Sequence, residues 1–245
     1  MTPRIYVGDD VGALAPGVDC VLPQAAARHV AQALRMRVGE PLTLFTGSGG
    51  EYATTLARID RRQVVTHVER HDAVERESPH AVTLVQSLIA AEMMDFVVRK
   101  AVELGVAAIV PLLAARSQAI AADRAERRVA HWRQVAIAAC EQCGRNRVPG
   151  VADIVPFGEW AEAIEPAAAP AILDFDASRS LAARASTAPP RSVAVGPEGG
   201  FAADELRDAG VRGAVCVHLG RRVLRAETAA IAALATLNAI AGDAH

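Results

Sequence analysis

Val195-Gly196-Pro197-Glu198-Gly199-Gly200-Phe201 and, further along the chain, His218-Leu219-Gly220-Arg221-Arg222-Val223-Leu224-Arg225-Ala226-Glu227-Thr228-Ala229 share one plan. In each, a β-prone run ends in a glycine-bearing loop and a helical pattern follows, from near Ala203 in the first and from Glu227 in the second. Repeated strand–loop–helix units imply an α/β fold with a parallel sheet, and ligands of such sheets bind at the carboxyl ends of the strands. Glycines allow backbone amides to approach a ligand closely, and Pro197 stiffens the first loop. Neither segment is a G-x-G-x-x-G fingerprint or carries the lysine of a phosphate-binding P-loop. On its residues alone, the first segment reads equally as a ligand loop or a plain turn. The second interleaves three arginines with Val223 and Leu224, which places charge near apolar surface and calls for an anionic or hydrogen-bonding partner. Its plainer reading is a set of solvated arginines, with Glu227 favouring the start of a helix.

Upstream, the same alternation extends back to Ala81. Strands are expected at residues 82–88, 106–113, 171–175, 192–195 and 214–219, with a helix at 92–104 stopped by Gly105. Val129, Trp132, Ala136, Ala139 and Cys143 form one apolar stripe at spacings of three and four, so a helix is expected there, capped by Asp123 with Glu126 and ended by Gly144. The last helix, 227–241, is apolar around most of its circumference and must be buried on more than one side, in the core or against another subunit. The first part of the chain differs. Short β-prone runs at 4–7, 41–45, 51–58 and 63–69, interrupted by one helix at 24–37, suggest a small, partly closed β-barrel. The polar stretch from Arg70 to Pro79 separates the two patterns, giving domains 1–72 and 73–245.

With 245 residues, 51% of them hydrophobic and 22% charged, the chain can bury a substantial core. Its opening, MTPRIYVGDD, shows no charged-then-apolar leader, and no apolar run approaches the roughly 18 residues needed to cross a bilayer. A cytoplasmic location with no membrane partner is therefore expected. Cys20, Cys140, Cys143 and Cys216 are too scattered for a disulfide framework. Cys140 and Cys143 make a C-x-x-C without a second pair at ligand spacing, so the expectation is two small buried residues and no metal. The formal net charge of −2 means that any nucleic-acid contact must come from local patches. Because Lys100 is the only lysine, arginine content reflects composition as readily as function.

The two C-terminal segments resemble the paired motifs of the SPOUT methyltransferases, and specifically the 16S rRNA uracil-N3 methyltransferase family. Further matches follow in order and spacing: Arg4-Ile5-Tyr6-Val7; Leu34 to Glu40 through Gly49-Gly50-Glu51-Tyr52; Lys100 to Val106 with Ile109-Val110-Pro111; and Glu141-Gln142-Cys143-Gly144-Arg145. The chain departs from the family pattern at Ala90-Ala91, Ala115 and Cys143. The resemblance implies a PUA-like, RNA-binding β-barrel followed by a SPOUT domain with a trefoil knot. It implies S-adenosyl-L-methionine as methyl donor, a homodimer with the C-terminal helix and its Leu237 at the contact, and ribosomal RNA or the small ribosomal subunit, not DNA, as partner. Donor contacts would come from Gly196, Glu198, Gly199, Gly200, Leu219, Gly220, Arg222, Val223 and Leu224. Arg225 would stabilise the charge developing on the base, Glu198 is a candidate general base, and Arg222 would be structural. Arg4, Arg35 and Arg37 are the RNA-binding candidates. The alternatives are a SPOUT enzyme acting on another base or a ribose hydroxyl, and a noncatalytic RNA-binding protein.

Overall fold

The run Pro41–Phe45 buries Leu42 and Leu44 while Thr43 stays half-exposed, the two-residue period of a strand with one face on a core. It lies near the middle of the first of two compact units in the computed structural model, which describes residues 2–8, 11–12 and 14–243. This unit comprises Met1–Glu77 together with Ile137–Val148. Its elements are β1 (Arg4–Tyr6), β2 (Asp19–Val21), α1 (Gln24–Arg28) continued by a π-helical turn (His29–Ala33), β3 (Pro41–Phe45), β4 (Glu51–Ile59) and β5 (Val64–Asp72). The five-stranded sheet has the order β1-β3-β4-β5-β2, with β1 parallel to β3 and the other pairings antiparallel. It is open between β1 and β2, and Ile5, Val30, Leu42, Leu44, Leu56 and Val68 fill its core.

Two expectations change here. The helix expected to run to Arg37 ends early, because Arg35 takes a left-handed backbone (φ 53°). That reversal turns Met36 into the core and leaves Arg35 and Arg37 exposed. The unit also differs from a contiguous 1–72 domain, since it includes residues 73–77 and 137–148. Side chains account for the difference. Arg145 is buried and paired with Glu77, Asn146 Nδ2 donates to the Val74 carbonyl at 2.6 Å, and the Glu141 carboxylate accepts the Tyr6 amide at 2.9 Å.

The second unit comprises Ser78–Ala136 together with Pro149–His245. Strands and helices alternate as β6 (Thr83–Ser87), α2 (Ala91–Glu103), β7 (Ala108–Leu113), α3 (Ala122–Cys143), β8 (Gly150–Val151), β9 (Val155–Pro156), α4 (Phe157–Glu162), β10 (Ala171–Leu173), α5 (Leu181–Thr187), β11 (Ser192–Val195), α6 (Ala203–Val211), β12 (Val215–Val217) and α7 (Ala226–Ala241). The sheet order is β12-β10-β11-β6-β7-β8, with β9 also on β7, and every pairing is parallel. Consecutive residues such as Leu84 and Val85, or Val193 and Ala194, are all buried, so both faces of the sheet are covered. Val85, Ala194 and Ile172 pack with Phe157 and Ala161 of α4 and Ala209 of α6, while α7 packs against α2, α5, β6 and β11.

α3 begins at Ala122, so Asp123 lies inside its first turn and is not the cap expected from the sequence. α7 brings a larger correction. Ala230, Ala233, Leu234 and Leu237 are each at most 1% exposed within this single chain. Leu237 is therefore a core residue and not part of a subunit contact. Among the described residues, no helix is long and apolar enough to cross a membrane.

Candidate ligand site

In the second unit, β10, β11 and β12 are neighbours, so their carboxyl ends open side by side. A cavity of about 550 Å³ lies among the loops that leave them, within the size range of small-molecule sites. The loop after β11 supplies Gly196 to Phe201, the loop after β12 supplies residues 218–220 and 222–225, and the first turn of α7 adds Ala226 and Ala229. The two glycine-bearing segments, separate in sequence, thus form walls of one cavity. Gly196, Glu198, Gly199, Gly200, Leu219, Gly220, Arg222, Val223, Leu224 and Arg225 all line it.

Local chemistry explains the glycines. Gly200 (φ 67°) and Gly220 (φ 116°) hold left-handed backbone that L side chains rarely adopt. At Gly196 a Cβ would lie 3.2–3.3 Å from the backbone of Gly200 and Phe201, so the loop folds tightly back on itself there. The Gly200 amide closes the turn on the Pro197 carbonyl at 2.9 Å, and the Gly220 amide donates to His218 Nδ1 at 3.0 Å.

The polar side chains are free to meet a ligand. Glu198, Arg222 and Arg225 are exposed, and none of their side chains forms a hydrogen bond or ion pair with another described residue. A bracing role for Arg222 is accordingly set aside. Apolar contact is available from Leu173, Val195, Leu219 and Leu224, and at the rim from Phe175 and Val223, which are 52% and 77% exposed. A nucleoside-sized ligand with apolar and polar parts fits this set, because glycine backbone and aliphatic side chains line the cavity beside three carboxylates, Asp174, Asp176 and Glu198, and three guanidinium groups, Arg116, Arg222 and Arg225. Among the described residues, no group of three or more His, Cys, Asp or Glu is placed to hold a metal ion.

Several lining residues were absent from the reading of the sequence. Asp174, Phe175 and Asp176 follow β10, and Arg116 comes from the turn after β7. The rule that ligands lie at strand carboxyl ends would have pointed to them, had the strand order been known. The RNA candidates lie in the other unit. Arg4 is 10% exposed at its side chain, bound to Glu51 at 2.6 Å and to Asn146 Oδ1 at 2.5 Å, so it is an internal tie and not a surface cation. Arg35 and Arg37 are exposed and form no ion pair with a described residue.

Comparison with known proteins bears on the same regions. A family model described as an RNA methyltransferase domain matches residues 76–238, and one described as an RNA methyltransferase PUA domain matches residues 22–69. A methyltransferase from Legionella pneumophila, solved with bound SAM, is 36% identical with a TM-score of 0.91, over 98% of both chains. The ribosomal RNA small subunit methyltransferase E of Neisseria gonorrhoeae, solved with S-adenosyl methionine, is 34% identical with a TM-score of 0.89, again over 98% of both chains. A protein of the same name from Mycobacterium tuberculosis is 33% identical over 218 residues, covering 86% of this chain and 83% of its own length.

Proposed function

Since this chain belongs to the RNA methyltransferase family, whose model spans residues 76–238, we propose that it transfers the methyl group of S-adenosyl-L-methionine to N3 of a uracil in 16S ribosomal RNA of the small subunit. The observation that carries the reading is the single cavity at the ends of β10, β11 and β12, into which both glycine-bearing loops converge. Two structures similar over 98% of the chain contain this donor, which supports the assignment of the cavity. The donor supplies an electrophilic methyl group on a sulfonium whose loss needs no proton. Gly196, Gly199, Gly200, Leu219, Gly220, Val223 and Leu224 would enclose it, with Glu198 and Arg222 beside it at the wall.

The remaining chemistry falls to the chain's own residues. N3 of neutral uracil bears a proton and lies on the pairing edge, so the base must be unpaired and must lose that proton as it attacks. Glu198, a carboxylate with no internal partner, is the proposed acceptor. Arg225, exposed at the N-cap of α7, would stabilise the negative charge spreading over the base, aided by the partial positive charge of the helix N-terminus. Holding donor and base in line accounts for much of the expected acceleration.

We extend the proposal to the assembly. A trefoil knot is consistent with the path of α7, which leaves edge strand β12 and packs against the central strands β6 and β11. A homodimer in the cytoplasm, with the first unit as an RNA-binding barrel and the second carrying the transfer site, completes the reading. Because Leu237 is buried, any contact through α7 uses its exposed positions Thr228, Ala235, Ala239 and Ile240.

One experiment separates this reading from its rivals. The protein is titrated calorimetrically with S-adenosylmethionine and with nicotinamide dinucleotide, then incubated with donor and small-subunit RNA, and the nucleosides are analysed by mass. Heat with the methyl donor alone, and 3-methyluridine in the digest, are the expected results. A methylated ribose or another methylated base would redirect the assignment, and no heat with the donor would end it.

A further inference from the structure

The turn after β7 is tied to the glycine loop after β11 by two side chains that reach in opposite directions. Arg116 Nη1 donates to the Gly199 carbonyl at 2.7 Å. Glu205, at the third position of α6 and only 8% exposed, accepts the Ala115 amide through one carboxylate oxygen and the Ala202 amide through the other, both at 2.8 Å. A carboxylate with both oxygens engaged by backbone amides is a directional brace. The turn it holds is itself fixed, because the Ala114 amide donates to Ser117 Oγ and the Ser117 amide returns to the Ala114 carbonyl, each at 3.0 Å.

Strand pairing does not do this work, because β6 lies between β7 and β11 in the sheet. The peptide that Arg116 grips is also the one most in need of restraint. It joins Gly199 to Gly200, two residues without the Cβ that would limit its rotation. Its N–H is held by the Pro197 carbonyl at 2.9 Å and its C=O by Arg116, so both ends are pinned. Arg116 meanwhile lines the cavity, and its Cδ lies 3.2 Å from where a Gly199 Cβ would be.

We infer that Arg116 and Glu205 form a clasp that sets the glycine loop in its donor-binding shape, with Arg116 as a positioning residue for the transfer reaction. The inference rests on the reading of the cavity as the methyl-donor site. Loss of the guanidinium frees the Gly199–Gly200 peptide to rotate, and the donor must then pay the entropy of ordering the loop. Lysine reaches the same carbonyl with a single N–H and restores part of the restraint.

The test compares the wild type with Arg116→Ala, Arg116→Lys and Glu205→Gln, using calorimetry with S-adenosylmethionine, steady-state kinetics with each substrate varied, and thermal melting. The charged hydrogen bond that is lost predicts about tenfold weaker donor binding and a matching rise in donor KM for Arg116→Ala, with the KM for RNA unchanged. Arg116→Lys should recover much of that loss, and Glu205→Gln, which can accept only one of the two amides, should weaken donor binding in the same direction. Arg116 is exposed, so its variants should melt as the wild type does. Donor affinity unchanged in Arg116→Ala would overturn the clasp, as would a fall in kcat at constant donor affinity, which would place Arg116 in the chemistry itself. A wild type that binds no donor would remove the proposed function and the clasp together, whereas binding shared equally by all variants would remove the clasp alone.

Discussion

Two guanidinium groups converge on Glu51: Arg4 at 2.6 Å and Arg76 at 2.9 Å. Burial pushes the Glu51 carboxyl upward, but hydrogen bonds from Arg76, Arg4 and Asn146 outweigh it and hold the pKa down at about 2, from an ordinary 4.5. A folded-state pKa below the unfolded one contributes stability that is complete above about 4.5 and disappears as pH falls toward about 2. Glu51→Gln should therefore cost about 1–2 kcal/mol at neutral pH, less than the full linkage value because the network borders solvent. Urea denaturation at a series of pH values checks this: the gap between variant and wild type should close through the acid range, and a gap constant with pH would contradict the assignment. The same network makes Arg4, an RNA candidate in the sequence, an internal tie in the structure. A sequence displays the cation at position 4 but not the carboxylate that β4 brings beside it. Cys140 is the converse case. Burial pushes its thiol up to about 12, so it stays protonated and inert, as the plain reading of the C-x-x-C expects, whereas Cys143 is half-exposed and departs from that expectation.

At the scale of elements, α7 shows how far periodicity carries. Its apolar circumference correctly demanded burial on several sides, and α2, α5 and the sheet provide it within one chain. Leu237→Glu would bury a charge with no partner and should destabilise the fold by about 3 kcal/mol or more, so it cannot report on assembly. Ala235→Glu, on the exposed face, should leave the circular dichroism melt near that of the wild type while lowering the dimer fraction in sedimentation. An unchanged dimer fraction in that variant would move the proposed contact off α7. Long elements such as α2 and α3 were legible because they repeat their period several times. β2, β8, β9, α4 and α5 span two to seven residues each, too short for a period to stand out, and tertiary pairing determines them.

For the whole molecule, a net charge of −2 leaves RNA attraction to local surfaces. Arg35 and Arg37, exposed and without ion pairs among the described residues, are the proposed surface in the first unit. Replacing both by alanine should weaken binding to a small-subunit RNA fragment and reduce the salt slope of log K by about two. Filter binding across salt concentrations measures this, and an unaltered slope would locate the RNA surface elsewhere. What the sequence determined by itself was local: the alternation of strand and helix after Ala81 and the two glycine loops that end strands, because each is written in contiguous residues with their own backbone demands, whereas the ten wall residues follow from the resemblance of those loops to the methyltransferase motifs. The tertiary structure alone decided what those loops face. Arg116 and Asp174 reach the cavity because parallel pairing sets β10 between β11 and β12 and leaves β7 one strand beyond β6. Residues 137–148 join the first unit because the buried charge of Arg145 must be paired, and its partner is the half-buried Glu77 far away in the chain. Strand order and the pairing of distant charges are long-range properties, and no local pattern of residues encodes them.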